Sequence, residues 1–138
     1  DGRLRAFGEE ASRPIFQGEV LLGDGSFNVT AEDGEVHPVD ERSALGALIK
    51  ASEIGGFEVA LDTSLVDGYG LLAGSIYGVE PGTEEIWRYV VNYPDEPIPA
   101  VGPDRFPLEE GDVVTFYLGD RNSRPEEALR VEITTGWE

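Results

Sequence analysis

Along most of this chain, short stretches alternate apolar and polar residues with a period of two, and one stretch carries apolar residues at helical spacing. Val20-Leu21-Leu22, the turn Gly23-Asp24-Gly25 and Ser26-Phe27-Asn28-Val29-Thr30 read as a β-hairpin, with Phe27 and Val29 on one face. Ala44, Leu45, Leu48, Ile49 and Ser52 then recur at helical spacing and predict a helix over about residues 43–54. Asp40 or Ser43 can cap it, because a short side-chain oxygen accepts the free N–H groups of a first turn, and Gly55-Gly56 ends it. Residues 57–61 alternate as a strand, and 69–79 hold another, loosened by Gly70, Gly74 and Gly78. Trp87 to Tyr93 form an aromatic strand, whereas Pro94, Pro97, Pro99 and Pro103 make 94–107 a stiff loop. Residues 113–118 and 129–134 are the last two strands, separated by the polar loop 119–127. One amphipathic helix among about seven strands must bury its apolar stripe against a sheet, which gives an α+β class with mainly antiparallel strands.

At 138 residues the chain is long enough for one domain with a real core. No apolar run approaches the roughly 18–20 residues of a membrane-spanning helix. The sequence opens at Asp1 without a signal peptide, so a processed, mature chain is expected. The absence of cysteine removes disulfides, thiolate metal ligands and thiol nucleophiles. Acidic residues number 28 against 10 basic ones, a formal charge of −18, and that field repels nucleic acid and anionic membrane. Lys50 is the single lysine among the basic residues, which fits a salty or acidic habitat as well as a base composition favouring arginine.

The candidate chemistry is sparse. His37, the one histidine, sits between Val36 and Pro38 in an acidic loop, with no Gly-x-Ser-x-Gly or cysteine partner to make a nucleophile. Glu109-Glu110-Gly111-Asp112 could offer oxygens to calcium, with Asp62 and Asp67, but lacks the register of a shaped calcium loop and reads as a turn. Gly68-Tyr69-Gly70 lacks the third glycine and the helix of a phosphate-binding loop. No catalytic residue, metal or cofactor is therefore expected. Trp87, Tyr89 and Tyr93 stand at spacings that place them on one side of a strand, as core or as a face for a ligand or an interface. Asn28-Val29-Thr30 is an N-glycosylation sequon, with Asn28 expected on the solvent side.

Four segments taken together carry a resemblance: Ser43 to Leu48, Gly74 to Val79, Trp87 through Pro97, and Val101 through Tyr117. They resemble the family related to the C-terminal domain of transcobalamin and intrinsic factor, found as single modules in archaeal surface proteins. The resemblance covers residues 17–134 and implies a β-grasp-like fold and an extracellular setting. In the vitamin B12 carriers the related domain closes over cobalamin against a helical barrel that this chain lacks, and no cobalamin-contacting motif maps onto it.

Residues 1–16 precede the matched part as an N-terminal arm. Its Arg3, Arg5 and Arg13 balance Asp1, Glu9 and Glu10, so the whole charge of −18 belongs to the domain at 17–138. A neutral, arginine-bearing arm ahead of an acidic body suggests docking, either as an extra strand of its own sheet or on a neighbour's sheet edge. The second arrangement is head-to-tail and builds a filament. The expectation is thus a non-enzymatic, extracellular structural module that associates with copies of itself, with Arg3, Leu4, Arg5 and Phe7 as the donated contacts. The alternative is a small-molecule binding module that holds a corrinoid or another flat ligand on the Trp87/Tyr89/Tyr93 face.

Overall fold

A computed structural model of the protein describes residues 14–120 and 122–138. The strands are β1 (Pro14–Leu22), β2 (Ser26–Thr30), β3 (Val36–Asp40), β4 (Val59–Asp62), β5 (Leu72–Ile76), β6 (Ile86–Val91), β7 (Val113–Gly119) and β8 (Arg130–Trp137), and the helix α1 (Ala44–Gly55) follows β3. The main sheet has the order β1-β8-β7-β6, in which β1 runs parallel to β8 and the other neighbours are antiparallel. Two smaller sheets, β2-β3 and β4-β5, are antiparallel pairs. The α+β class with mainly antiparallel strands is as the sequence predicts. No helix among the described residues is long and apolar enough to cross a membrane.

Local chemistry explains the helix. The Ser43 hydroxyl accepts from Gly46 N–H at 3.0 Å and donates to the Asp40 carbonyl at 2.7 Å, so Ser43, and not Asp40, is the N-cap. Gly56 closes the other end at φ 71°, a left-handed conformation cheap for glycine, and donates to Ser52 O. Gly46 is glycine because a Cβ there would overlap the Asp40 and Glu41 carbonyls. Leu45 and Leu48 are wholly buried against Val20, Leu22, Val114, Phe116, Val131 and Ile133 of the main sheet. Each leucine contributes about 1.5–3 kcal/mol by leaving water.

Several expectations need correction. The Gly23-Asp24-Gly25 turn does join two strands, but they are not a hairpin: β1 enters the main sheet, whereas β2 pairs with β3. Val20 and Leu22 can be fully buried only beneath the helix, and the turn is drawn away from pairing when Glu41 takes up the Gly23 N–H. His37 lies on β3, not in a loop, with Pro38 tolerated because β3, among the described residues, has a partner on one side only. The aromatic strand ends at Val91, where Asn92 turns left-handed at φ 55°. Between 69 and 79 only Leu72–Ile76 is strand. Pro14, Ile15 and Phe16, assigned to the arm, are the first residues of β1. Arg3, Leu4, Arg5 and Phe7 lie outside the described residues.

Candidate functional site at the free edge of the main sheet

Among the described residues β6 has one partner, β7, and its register decides which backbone groups are left over. Asn92 N–H donates to the Val113 carbonyl at 2.7 Å, so Asn92, Val90, Arg88 and Ile86 direct their backbone groups toward β7. Trp87, Tyr89 and Val91 direct theirs the other way, and no backbone hydrogen bond takes them up among the described residues. This is an open sheet edge three residues long in outward N–H and C=O groups, the arrangement onto which an extended segment adds as a strand.

A cleft of about 320 Å³ runs beside that edge. One wall is Ile86 to Tyr89 of β6 with Tyr117 of β7; facing them are Leu65, Tyr69 and Leu72, then Ile98, Pro99 and Pro103. Its rim is apolar and in water, with Ile98 71% and Leu65 50% exposed. The walls are pinned. Asp104 Oδ1 accepts from Leu71 N–H at 2.9 Å, and Gly102 N–H donates to the Tyr69 carbonyl at 2.9 Å. Gly70 and Gly102 pass so closely that a Cβ on Gly102 would lie 2.9 Å from the Gly70 Cα. Arg105 donates to the Val66 carbonyl, and the Tyr89 hydroxyl donates to the Val101 carbonyl. These bonds join the walls to one another, so the cleft's shape is held by its own backbone and side chains.

Arg88 is the one charged residue of the lining, and two carboxylates lie close behind it: Asp104 acts on the phenols, and the charge of Arg88 helps to lower Asp120. Burial raises the Tyr89 phenol far above the usual tyrosine range, with Tyr69 and Asp104 adding to the effect. Burial also raises Tyr69 and Tyr117, against an opposing pull from the Arg88 guanidinium. All three phenols stay neutral at ordinary pH. Arg88 Nε donates to the Gly119 carbonyl at 3.3 Å, and no carboxylate among the described residues lies within ion-pair distance of it.

The three aromatic residues singled out by their spacing do not form one platform. Trp87 and Tyr89 are 3% and 5% exposed, as core residues: Trp87 Nε1 donates to the Val79 carbonyl at 2.9 Å, and the Tyr89 ring packs on Phe106 and Phe116. Tyr93 lies beyond the end of β6 and is 44% exposed. Arg88, Tyr69, Tyr117 and Ile98 were missed. The available signal was Arg88 itself, a charged residue inside the apolar run Ile86–Val91.

Elsewhere, Gly111 at φ 95° and the Asp112 carboxylate, which accepts from Glu109 N–H at 2.8 Å, make the Glu109–Asp112 segment a turn. Asp33, Glu35 and His37 cluster on the β2-β3 hairpin, where Asp33 accepts from Glu35 N–H and lies 3.1 Å from His37 Nε2. The Glu35 hydrogen bond, more than the His37 imidazole, holds the Asp33 carboxyl below the usual range. A larger depression near Arg42 is lined by groups already engaged, since Arg42 donates to Leu22 O and lies over the Trp137 ring. Asn28 is exposed on β2, with half-buried Phe27 and Val29 on the other face. No protein-family model matches the chain, and no curated protein matches it.

Proposed function

We propose that this protein is an extracellular structural subunit that associates with copies of itself, the arm of one copy adding as a strand to the β6 edge of the next. The observation that carries this reading is the row of backbone groups at Trp87, Tyr89 and Val91 left unpaired among the described residues beside a cleft with an apolar rim. The arm's sequence offers what such an edge takes: a short segment with Arg3, Leu4, Arg5 and Phe7, free of the net charge that makes two bodies repel. The reading includes no catalytic step and no cofactor. The finer kinship, a β-grasp relative of the transcobalamin C-terminal domain, belongs to the same proposal and is supported by the one α-helix among the described residues packing on a sheet face; a glycan at Asn28 belongs to it too, supported by that residue's exposure in the sequon. A second reading is favoured by the size of the cleft, which suits a small flat ligand better than a whole corrinoid.

The test is sedimentation and negative-stain microscopy of the intact chain, of a chain lacking residues 1–13, and of Ile98→Asp. Large assemblies from the intact chain, absent in both variants, are expected. Assembly that survives loss of the arm overturns the reading, as does an intact chain that stays monomeric across salt and pH. A ligand-dependent change in tryptophan fluorescence from a monomer supports the second reading instead.

A further inference from the structure

We propose that Arg88 is the residue by which the β6 edge selects its partner strand, and that it pairs with the Glu9 carboxylate of a second copy's arm. This inference rests on the self-association reading and adds its register and its chemistry. Arg88 is a half-buried guanidinium in an apolar and phenolic cleft, giving one N–H to the Gly119 carbonyl and forming no ion pair among the described residues, with the Asp120 carboxylate near enough to feel its charge but not bonded to it, in a chain where acids outnumber bases nearly three to one. A guanidinium in that setting is a receptor for a carboxylate, which it can grip with two parallel N–H groups in a low-dielectric site.

The register follows from what flanks Arg88. On an added strand, residues two apart face the same side, so Arg5, Phe7 and Glu9 form one row. With the arm parallel to β6 and Glu9 at Arg88, Phe7 falls beside Ile86, an exposed apolar residue of the cleft wall. Arg5 then falls beside Glu84 and Glu85, just ahead of β6, and Gly8 falls opposite the already buried Trp87. The antiparallel register would set Phe7 against Val90, which is buried and offers no apolar surface. Parallel addition therefore matches cation to acid, apolar to apolar and acid to cation along five residues.

The experiment uses full-length chains with Arg88→Glu and Glu9→Arg, separately, combined in one chain, and as a mixture of the two single variants, all read by sedimentation velocity. Each single variant sets like charges against each other and is expected to weaken assembly by about tenfold or more. The double variant restores it. The mixture of single variants restores it too, because each arm then meets the opposite charge on the other species. Arg88→Gln, which keeps the hydrogen bond and loses the charge, is expected to fall between wild type and Arg88→Glu, and circular dichroism checks that every variant is folded. Loss of assembly on arm deletion, with Arg88→Glu still assembling like wild type, overturns the Arg88 contact and leaves the arm reading standing. Rescue of Arg88→Glu by Glu10→Arg in place of Glu9→Arg overturns the register. Monomers throughout, in which the two single variants lose thermal stability and the double variant regains it, show the arm seated on its own chain; they refute assembly while keeping the Arg88–Glu9 contact.

Discussion

Asp104 fastens the wall of the cleft that faces β6, and replacing it tests whether that wall is built as described. Its carboxylate accepts from the Leu71 N–H at 2.9 Å, and Leu71 is 2% exposed, so water cannot replace the lost acceptor without opening the loop. Asp104→Ala leaves a buried N–H unsatisfied, which costs about 1–3 kcal/mol. For a chain of this size that is a fall in Tm of about 3–12 °C. Asp104→Asn keeps an oxygen in the same place and should recover most of the loss. A second readout is independent of melting. Asp104 raises both Tyr69 and Tyr89, so either substitution removes a negative charge beside those phenols and moves their titration to lower pH. The assay is thermal unfolding by circular dichroism, with spectrophotometric titration of tyrosine. An alanine variant that melts with the wild type, or an asparagine variant as unstable as the alanine one, would falsify the pinned-wall account.

Three further outcomes are expected. Ser43→Ala removes the helix cap and lowers stability by about 1 kcal/mol in denaturant unfolding, while Gly46→Ala, despite alanine's better helix propensity, costs about 1–3 kcal/mol through overlap with the Asp40 and Glu41 carbonyls. Tyr69, Tyr89 and Tyr117 titrate above the ordinary value of 10.0, so their contribution to stability is whole below that pH and is lost as pH climbs through their raised values; unfolding against pH should show this alkaline decline reduced in Tyr89→Phe. Raising the ionic strength should strengthen self-association measured by sedimentation, because bodies of −18 repel over a distance that salt shortens to about 8 Å at physiological strength.

The helix and most strands were legible because their signals are local. A capping serine, a stripe of Leu45 and Leu48, and the apolar run 113–118 each speak for themselves within a few residues. Partner choice was not legible. Val20-Leu22 and Ser26–Thr30 look like the two arms of a hairpin, yet β1 goes to β8, more than a hundred residues away in sequence, because Val20 and Leu22 find complete burial only there. Spacing placed Trp87 and Tyr89 on one face, which is core, and misled only at Tyr93, since it assumes an extended chain that Asn92 interrupts. The cleft was invisible for a related reason. Its walls come from loops at 65–72 and 98–103 whose approach depends on Gly70 meeting Gly102, and nothing in either loop's composition announces the other.

A sheet edge left open among the described residues and a strongly acidic body are physically complementary features. An open edge such as β6 is a hazard, since any extended chain can pair with it. Most proteins blunt such an edge with local charge or proline, and here Arg88 is the charged residue on it. A single cation would invite acidic segments indiscriminately if it stood alone, but it is set in a body of −18 that repels other acidic bodies. A segment that reaches the edge must therefore be neutral overall, yet carry a carboxylate where Arg88 stands and a cation where Glu84 and Glu85 stand. Residues 1–13 have that composition, with Arg5 and Glu9 separated by four positions and Phe7 between them. In the proposed assembly the order of charges on the arm is what makes the edge selective, Arg88 is what makes it receptive, and the net charge of the bodies opposes the contact. Removing acidic residues from the body, far from β6, should accordingly strengthen assembly at low salt, read by sedimentation, and make it less dependent on ionic strength.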